Sequence, residues 1–155
     1  MKNVVVVRPG NPGDLGAVIA MEKAAFSDPW SQESLFSELL GDAMRMPLVA
    51  ELDGCVCGYL MAWRVVDQLH ILNIATDPHY LRRGVGTALL MAAARLAVGG
   101  GQVEITLEVR RSNSAARQFY SHHHFAETGI RSGYYQEDGE DAIIMTASCS
   151  DLVAQ

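Results

Sequence analysis

The stretch Leu69–Val98, LHILNIATDPHYLRRGVGTALLMAAARLAV, decides how the rest of the chain is read. Leu69 to Ala75 is rich in Ile and Leu and predicts a strand. Asp77-Pro78 stops it, because proline has no N–H for a ladder and disfavours helix in the residue before it. After the loop Arg82-Arg83-Gly84-Val85-Gly86-Thr87, Leu89, Ala92, Ala93 and Leu96 recur at helical spacing and predict a long helix. Glycines at a helix start let the backbone approach a ligand closely. The first-turn N–H groups lack intrahelical partners, and the helix dipole is positive there. With two arginines alongside, the six residues Arg82, Arg83, Gly84, Val85, Gly86 and Thr87 predict a phosphate site built mostly from backbone.

Known phosphate loops narrow the ligand. A dinucleotide fingerprint needs G-x-G-x-x-G directly after a strand, but Leu89 stands at the third glycine position and a turn intervenes. A Walker loop needs Gly-Lys-Ser/Thr, and the chain has none. Taken alone, RRGVG equally fits an ordinary helix entry with a surface arginine pair, so its surroundings decide. Leu81-Arg82-Arg83-Gly84-Val85-Gly86 resembles motif A (Gln/Arg-x-x-Gly-x-Gly/Ala) of the GNAT (Gcn5-related) N-acetyltransferases, with Leu81 where Gln or Arg is usual. That resemblance implies acetyl-coenzyme A as co-substrate, with its pyrophosphate on this loop.

A chain of 155 residues, 49% hydrophobic and 19% charged, predicts one folded domain over residues 1–155. A net charge of −6 argues against general nucleic-acid binding. It suits a basic peptide or amine partner, though simple solubility explains it equally well. Met1-Lys2 and Val4–Val7 make no secretory signal, since Arg8-Pro9-Gly10 cuts the apolar run short. Arg95 interrupts the longest apolar run, Ala88 to Val98, which is too short to span a membrane. Cys55, Cys57 and Cys149 have no metal or redox spacing. These features fit a reducing cytoplasm.

The remaining chain reads as alternating elements. Val4 to Arg8 predicts a strand. Asp14 is a candidate cap for a helix from Leu15 to about Phe26, and Ser31 for one reaching about Leu40. Leu48–Leu52 and Cys55–Val66 read as a hairpin turning at Asp53-Gly54. Gly99-Gly100-Gly101 ends the long helix, and Val103–Val109 is a further strand. Ser112 or Ser114 is the candidate cap of a helix to about His123. Phe125–Tyr135 and Ala142–Ala147 read as closing strands around the acidic loop 136–141, and the last few residues as a loose tail. The expected class is α/β (α+β) with a mixed sheet.

Two residues invite chemistry. The strand Val103–Val109 alternates Ile105, Leu107 and Val109 with Glu104, Thr106 and Glu108. The second face is solvated on the plain reading. On the functional reading, Glu108 lies beside the strand Leu69–Ala75 as a partly desolvated carboxylate with a raised pKa, able to take a proton from an ammonium. Tyr120 lies with Ala116, Phe119 and His123 near one helix face. It is either a core aromatic or a phenol placed to protonate a leaving thiolate. Asn113 is a cap or turn former, or a contact to the pantetheine arm. Consecutive His122-His123-His124 point about 100° apart on a helix, so no metal site is expected. Tyr134-Tyr135 reads as strand packing, or as one ring lining a substrate mouth, and Glu137, Asp138, Glu140 and Asp141 most simply as a solvated acidic loop, or as one that attracts a basic substrate.

The resemblance extends over nearly the whole chain. FSDPWS (Phe26–Ser31), LNIATDP (Leu72–Pro78), LEVRRSN (Leu107–Asn113) and RSGYYQEDGEDAIIM (Arg131–Met145) resemble the GNAT branch that acetylates the N-terminal alanine of a small-subunit ribosomal protein. It implies the GNAT fold: about seven strands, mostly antiparallel, with about four helices and a splay between strands four and five. It also implies Glu108 as general base and Tyr120 as general acid. Acetyl-coenzyme A contacts would come from Ile74, Ala75 and Thr76, from Arg82 to Thr87, and from Asn113. Implied partners are a protein N-terminus and no nucleic acid or membrane, with the chain a monomer or weak dimer. Rival readings are a GNAT enzyme acting on lysine or a small amine, and a non-catalytic acyl-coenzyme A sensor.

Overall fold

The computed structural model describes residues 4–154; residues 1–3 and the terminal Gln155 lie outside them. Among the described residues the strands are β1 (Val6–Pro9), β2 (Arg45–Leu52), β3 (Cys55–Val65), β4 (Gln68–Thr76), β5 (Glu104–Arg110), β6 (Ala126–Arg131) and β7 (Ala142–Ser148). The helices are α1 (Leu15–Ala25), α2 (Gln32–Leu40), α3 (Val85–Gly99), α4 (Ser114–His122) and α5 (Cys149–Val153). The strands form one mixed sheet in the order β1-β2-β3-β4-β5-β7-β6. The β1–β2, β2–β3, β5–β7 and β6–β7 ladders are antiparallel, whereas β4 and β5 run parallel. The β4–β5 ladder pairs Gln68–Ile71 with Glu104–Leu107, and both strands run on beyond it, to Thr76 and Arg110. The expected mixed, mostly antiparallel sheet is therefore what forms, with five described α-helices rather than about four.

Contacts group the chain into two compact units. The first contains the residues up to Arg64 together with Leu72–Ala93. Its core joins Val18 and Met21 of α1, Leu35 and Leu39 of α2, and Val49, Tyr59, Met61 and Ala75 of the strands. The hairpin turns at Asp53 and Gly54, with φ of +53° and +78°, the left-handed pair that a two-residue turn requires. Ser31 caps α2 as expected, its Oγ accepting from the Ser34 N–H at 3.1 Å. Asp14 does not cap α1 through its side chain. Its carboxylate instead takes a two-pronged pair from the Arg8 guanidinium and accepts the Asn11 N–H.

Gly58 is a position where a side chain would collide with its surroundings. A Cβ there would lie 2.6 Å from Val85 Cγ1 and 3.2 Å from both the Ala75 carbonyl oxygen and Leu89 Cδ1. The bare backbone lets β3 lie against the first turn of α3 and the end of β4. Gly58→Ala should cost about 1–3 kcal/mol through overpacking. Chemical denaturation reads this as a lower midpoint with an unchanged slope.

The second unit contains Val65–Ile71 and the residues from Ala94 onward. On β5, Ile105, Leu107 and Val109 are buried, as alternation predicts, and they share the core with Ile143, Met145 and Ala147 of β7. The expected loose tail is instead α5, which buries Cys149 and Leu152 at its two ends. The apolar spacing Cys149/Leu152 supplies the reason, since i and i+3 share one helix face. The α3 stripe is also shifted from expectation: Leu89, Leu90, Ala93, Ala94 and Ala97 are buried, while Leu96 is 42% exposed.

Two further expectations in this unit are corrected. β6 ends at Arg131, so Tyr134 and Tyr135 lie in the following loop and not in a strand. The acidic residues of that loop are not merely solvated. Glu137, Asp138 and Glu140 all bond Arg110, Asp141 bonds Arg111, and the Arg110 guanidinium lies 4.0 Å from the Tyr135 ring centre. One β5 arginine thus straps the loop down, since a guanidinium has donors enough for several carboxylates and a flat face for a ring.

Candidate active site

In the first unit, the segment between β4 and α3 has the backbone of an anion cradle. Asp77 caps the 3-10 turn Pro78–Tyr80 through the His79 N–H, which reverses the chain. Arg82 and Gly84 then have φ of +64° and +78°, with Arg83 between them outside the positive region. Alternation of this kind is the backbone pattern of a nest, a concavity of N–H groups suited to anions. The Gly84 carbonyl accepts the Ala88 N–H at 2.9 Å, so α3 begins immediately after the cradle. Val85, Gly86 and Thr87 form its first turn, at the positive end of the helix dipole. Val85 is buried and anchors this turn, while Leu81 is largely exposed. A pyrophosphate fits such a donor set. Gly84→Ala would force a side chain into the left-handed region, with open space around the added carbon beyond its chain neighbours, so the change strains the loop backbone and not the packing. Coenzyme A affinity should fall by about tenfold in calorimetric titration, at a cost of about 1 kcal/mol or somewhat more.

The strand feeding this loop is held from below. Ile74 and Thr76 are half-buried and Ala75 is in the core. Asn73 Nδ2 donates to Glu22 Oε1 at 2.8 Å; Tyr59 donates its hydroxyl to the same oxygen, and the Trp30 N–H donates to Oε2 at 2.8 Å. Glu22 is 1% exposed and Tyr59 fully buried, so three donors converge on one buried carboxyl group. Burial and the Glu22 bond push the Tyr59 phenol far up, so it stays protonated and donates to Glu22.

In the second unit, Glu108 points from β5 to a histidine that the sequence reading passed over. Glu108 Oε2 lies 3.0 Å from His70 Nε2, and Oε1 lies 3.3 Å from Arg131 Nε. The contact follows from register: His70 of β4 is paired with Thr106 of β5, and Glu108 is two residues further along the same face. The raised pKa expected for Glu108 is corrected to a lowered one. The His70 hydrogen bond dominates, burial opposes it, and the charges of His70 and Arg131 add to the lowering.

Tyr120 lies on α4, 7% exposed, with ring contacts to Phe119 and Phe125 at centroid distances of 5.4 and 5.5 Å. Burial alone pushes its phenol up, keeping it protonated. Asn113, rather than Ser112 or Ser114, caps α4: its Oδ1 accepts the Ala116 N–H at 3.1 Å. This leaves the amide Nδ2 as its offer to a ligand. Burial also pushes the Cys57 and Cys149 thiols up, away from the nucleophilic thiolate. Among the described residues no three His, Cys, Asp or Glu side chains gather as a metal site needs, and no helix is long and apolar enough to cross a membrane.

A family model described as Acetyltransferase (GNAT) family matches residues 15–125, from α1 through α4. The chain belongs to the GNAT family. As a GNAT acetyltransferase it is an acetyl-CoA-dependent N-acetyltransferase, and the cradle before α3 suits the pyrophosphate of that co-substrate. The chain is 36% identical over 139 residues to the [Ribosomal protein bS18]-alanine N-acetyltransferase of Escherichia coli strain K12, covering 88% of this chain and 93% of that protein. It is 33% identical over 154 residues to an N-alpha-acetyltransferase of Sulfurisphaera tokodaii, covering 91% of each. The crystal structure of the ribosomal-protein-S18-alanine N-acetyltransferase from Escherichia coli matches this GNAT fold with a TM-score of 0.85, 31% identity and 94% coverage of both chains.

Proposed function

We propose that this GNAT enzyme acetylates the N-terminal α-amine of a protein beginning with Ala or Ser, its natural substrate being a small-subunit ribosomal protein. The observation that carries this reading is the similarity, over nearly the full length, to relatives named as ribosomal protein bS18-alanine N-acetyltransferases. Chemistry supports the same target. An α-amine with pKa near 8 is roughly one-tenth neutral at pH 7, whereas a lysine amine near 10.4 is roughly 0.04% neutral. A site whose carboxylate is held below the usual range suits the amine that needs less help.

In this reading the loop Arg82–Thr87 holds the pyrophosphate, and Ile74, Ala75, Thr76 and Asn113 contact the pantetheine and acetyl groups. A backbone N–H near Ala75 stabilises the oxyanion. The neutral amine attacks the thioester carbonyl directly, without an acetylated cysteine. Glu108 draws off the amine's proton, and Tyr120 donates a proton to the departing thiolate. The net reaction converts amine and acetyl-coenzyme A to acetamide and free thiol. The protein is cytoplasmic, and needs no nucleic acid or membrane for this step.

The test is a competition among peptides that differ in their first residue, each carrying an internal lysine. Fragment mass spectrometry then locates the acetyl group. Acetyl on the α-amine of Ala- or Ser-starting peptides is expected. Acetyl confined to lysine, or none on any peptide while a small amine is turned over, would overturn the reading.

A further inference from the structure

We propose that His70, and not the carboxylate of Glu108 itself, takes the proton from the attacking amine, with Glu108 orienting the imidazole. This rests on the reading above and reassigns its base. Both Glu108 oxygens are already engaged, Oε2 by His70 Nε2 at 3.0 Å and Oε1 by Arg131 Nε at 3.3 Å. The histidine side chain is 28% exposed and the glutamate 13%, so the imidazole is the member of the pair that a substrate meets more readily.

Hydrogen-bond chemistry fixes which nitrogen acts. An ionised carboxylate only accepts, so His70 Nε2 must carry the hydrogen it shares with Glu108. In the neutral ring Nδ1 is then the unprotonated acceptor. The adjacent anion stabilises the imidazolium that forms when Nδ1 takes a proton, the same service a buried carboxylate performs in hydrolytic triads. An imidazole also matches a proton acceptor working near neutral pH better than a carboxylate held low.

Two adjacent strands fix the pair, so its geometry does not depend on a loop. The other charged or titratable groups bearing on it are Arg131 at the end of β6 and Tyr135 in the loop beyond. As the amine nitrogen bonds to the thioester carbonyl carbon, its surplus proton passes to His70 Nδ1. The C–S bond then breaks, Tyr120 protonates the thiolate and is reprotonated from solvent, and His70 returns its proton to solvent.

The experiment measures kcat against pH for the wild type and His70→Gln, using acetyl-coenzyme A and an Ala-starting peptide. Glutamine keeps an N–H for Glu108, so the carboxylate is not set free by the change. His70→Gln should lower kcat by about 10²–10⁴ and lose the ascending limb of the profile, with KM for coenzyme little changed. Coenzyme binding and a thermal melt show that the variant is folded. Nitrogen-15 spectra of the His70 ring should show the hydrogen on Nε2. A variant with wild-type kcat and an intact limb, or a ring with its hydrogen on Nδ1, overturns the proposal while leaving the proposed function standing. A wild type that acetylates no α-amine overturns both.

Discussion

Glu22→Ala should lower the melting temperature by about 10 °C, a loss of roughly 3–4 kcal/mol for a chain of this size. Truncation strips three donors of their acceptor at once: the Tyr59 hydroxyl, Asn73 Nδ2 and the Trp30 N–H. Each buried donor left unsatisfied costs about 1–3 kcal/mol. Tyr59 is fully buried, so water cannot replace the lost partner without opening the core. Glu22→Gln should cost less, because its carbonyl oxygen still accepts from Tyr59 and Asn73 while its NH2 faces the Trp30 N–H. A double-mutant cycle checks the mechanism: Tyr59→Phe should add much less to Glu22→Ala than it costs alone. Additive costs would mean that Tyr59 and Glu22 do not act together. Hydrogen exchange should also quicken at Trp30, since Glu22 is what ties that residue's amide to α1.

The parts of this molecule that were legible in the sequence are those governed by local rules. The β5 alternation, the Asp53-Gly54 turn and the Ser31 cap each depend on a few consecutive residues, and each formed as read. The glycine loop was legible for the same reason, though not its left-handed Arg82, whose conformation no propensity marks. Pairings across the sheet were not legible. Glu22 falls at helical spacing with Leu15, Val18 and Ile19 on one face, which says nothing of its partners, and its donors Tyr59 and Asn73 lie 37 and 51 residues away. His70 reads as one polar residue in an apolar strand. Only the parallel register that sets it against Thr106 puts its ring within reach of Glu108. That register also explains why the direction of the Glu108 shift was misread: burial was foreseeable, but the donor beside it was not. Asp14 shows the same failure at short range, since the helix-cap pattern says nothing of an arginine six residues earlier that outcompetes the backbone. The acidic loop likewise looked free because its cation, Arg110, sits on a strand nearly thirty residues before it.

Tyr120→Phe should lower kcat by about 10²–10⁴ with little change in KM for acetyl-coenzyme A, if the phenol is the proton donor to the thiolate. The substitution suits the question because the ring contacts to Phe119 and Phe125 survive it. Stability should therefore change little, and any loss of rate belongs to the missing hydroxyl. The sign of the pH dependence follows from burial. With its ionisation pushed up, Tyr120 stays protonated throughout the working range, so deprotonating it should not produce a falling limb at moderately alkaline pH. A falling limb that vanishes in Tyr120→Phe would contradict that protonation state. The leaving group supplies an independent check. A thiol ordinarily titrates near 8.5, so its thiolate gains from a proton as the C–S bond breaks. An acyl donor whose thiol is more acidic needs that proton less, and the gap between wild type and Tyr120→Phe should narrow with it. A gap that stays constant across donors would assign the hydroxyl to binding or positioning. An unchanged kcat with acetyl-coenzyme A would remove Tyr120 from the chemistry and leave it as a core aromatic of α4.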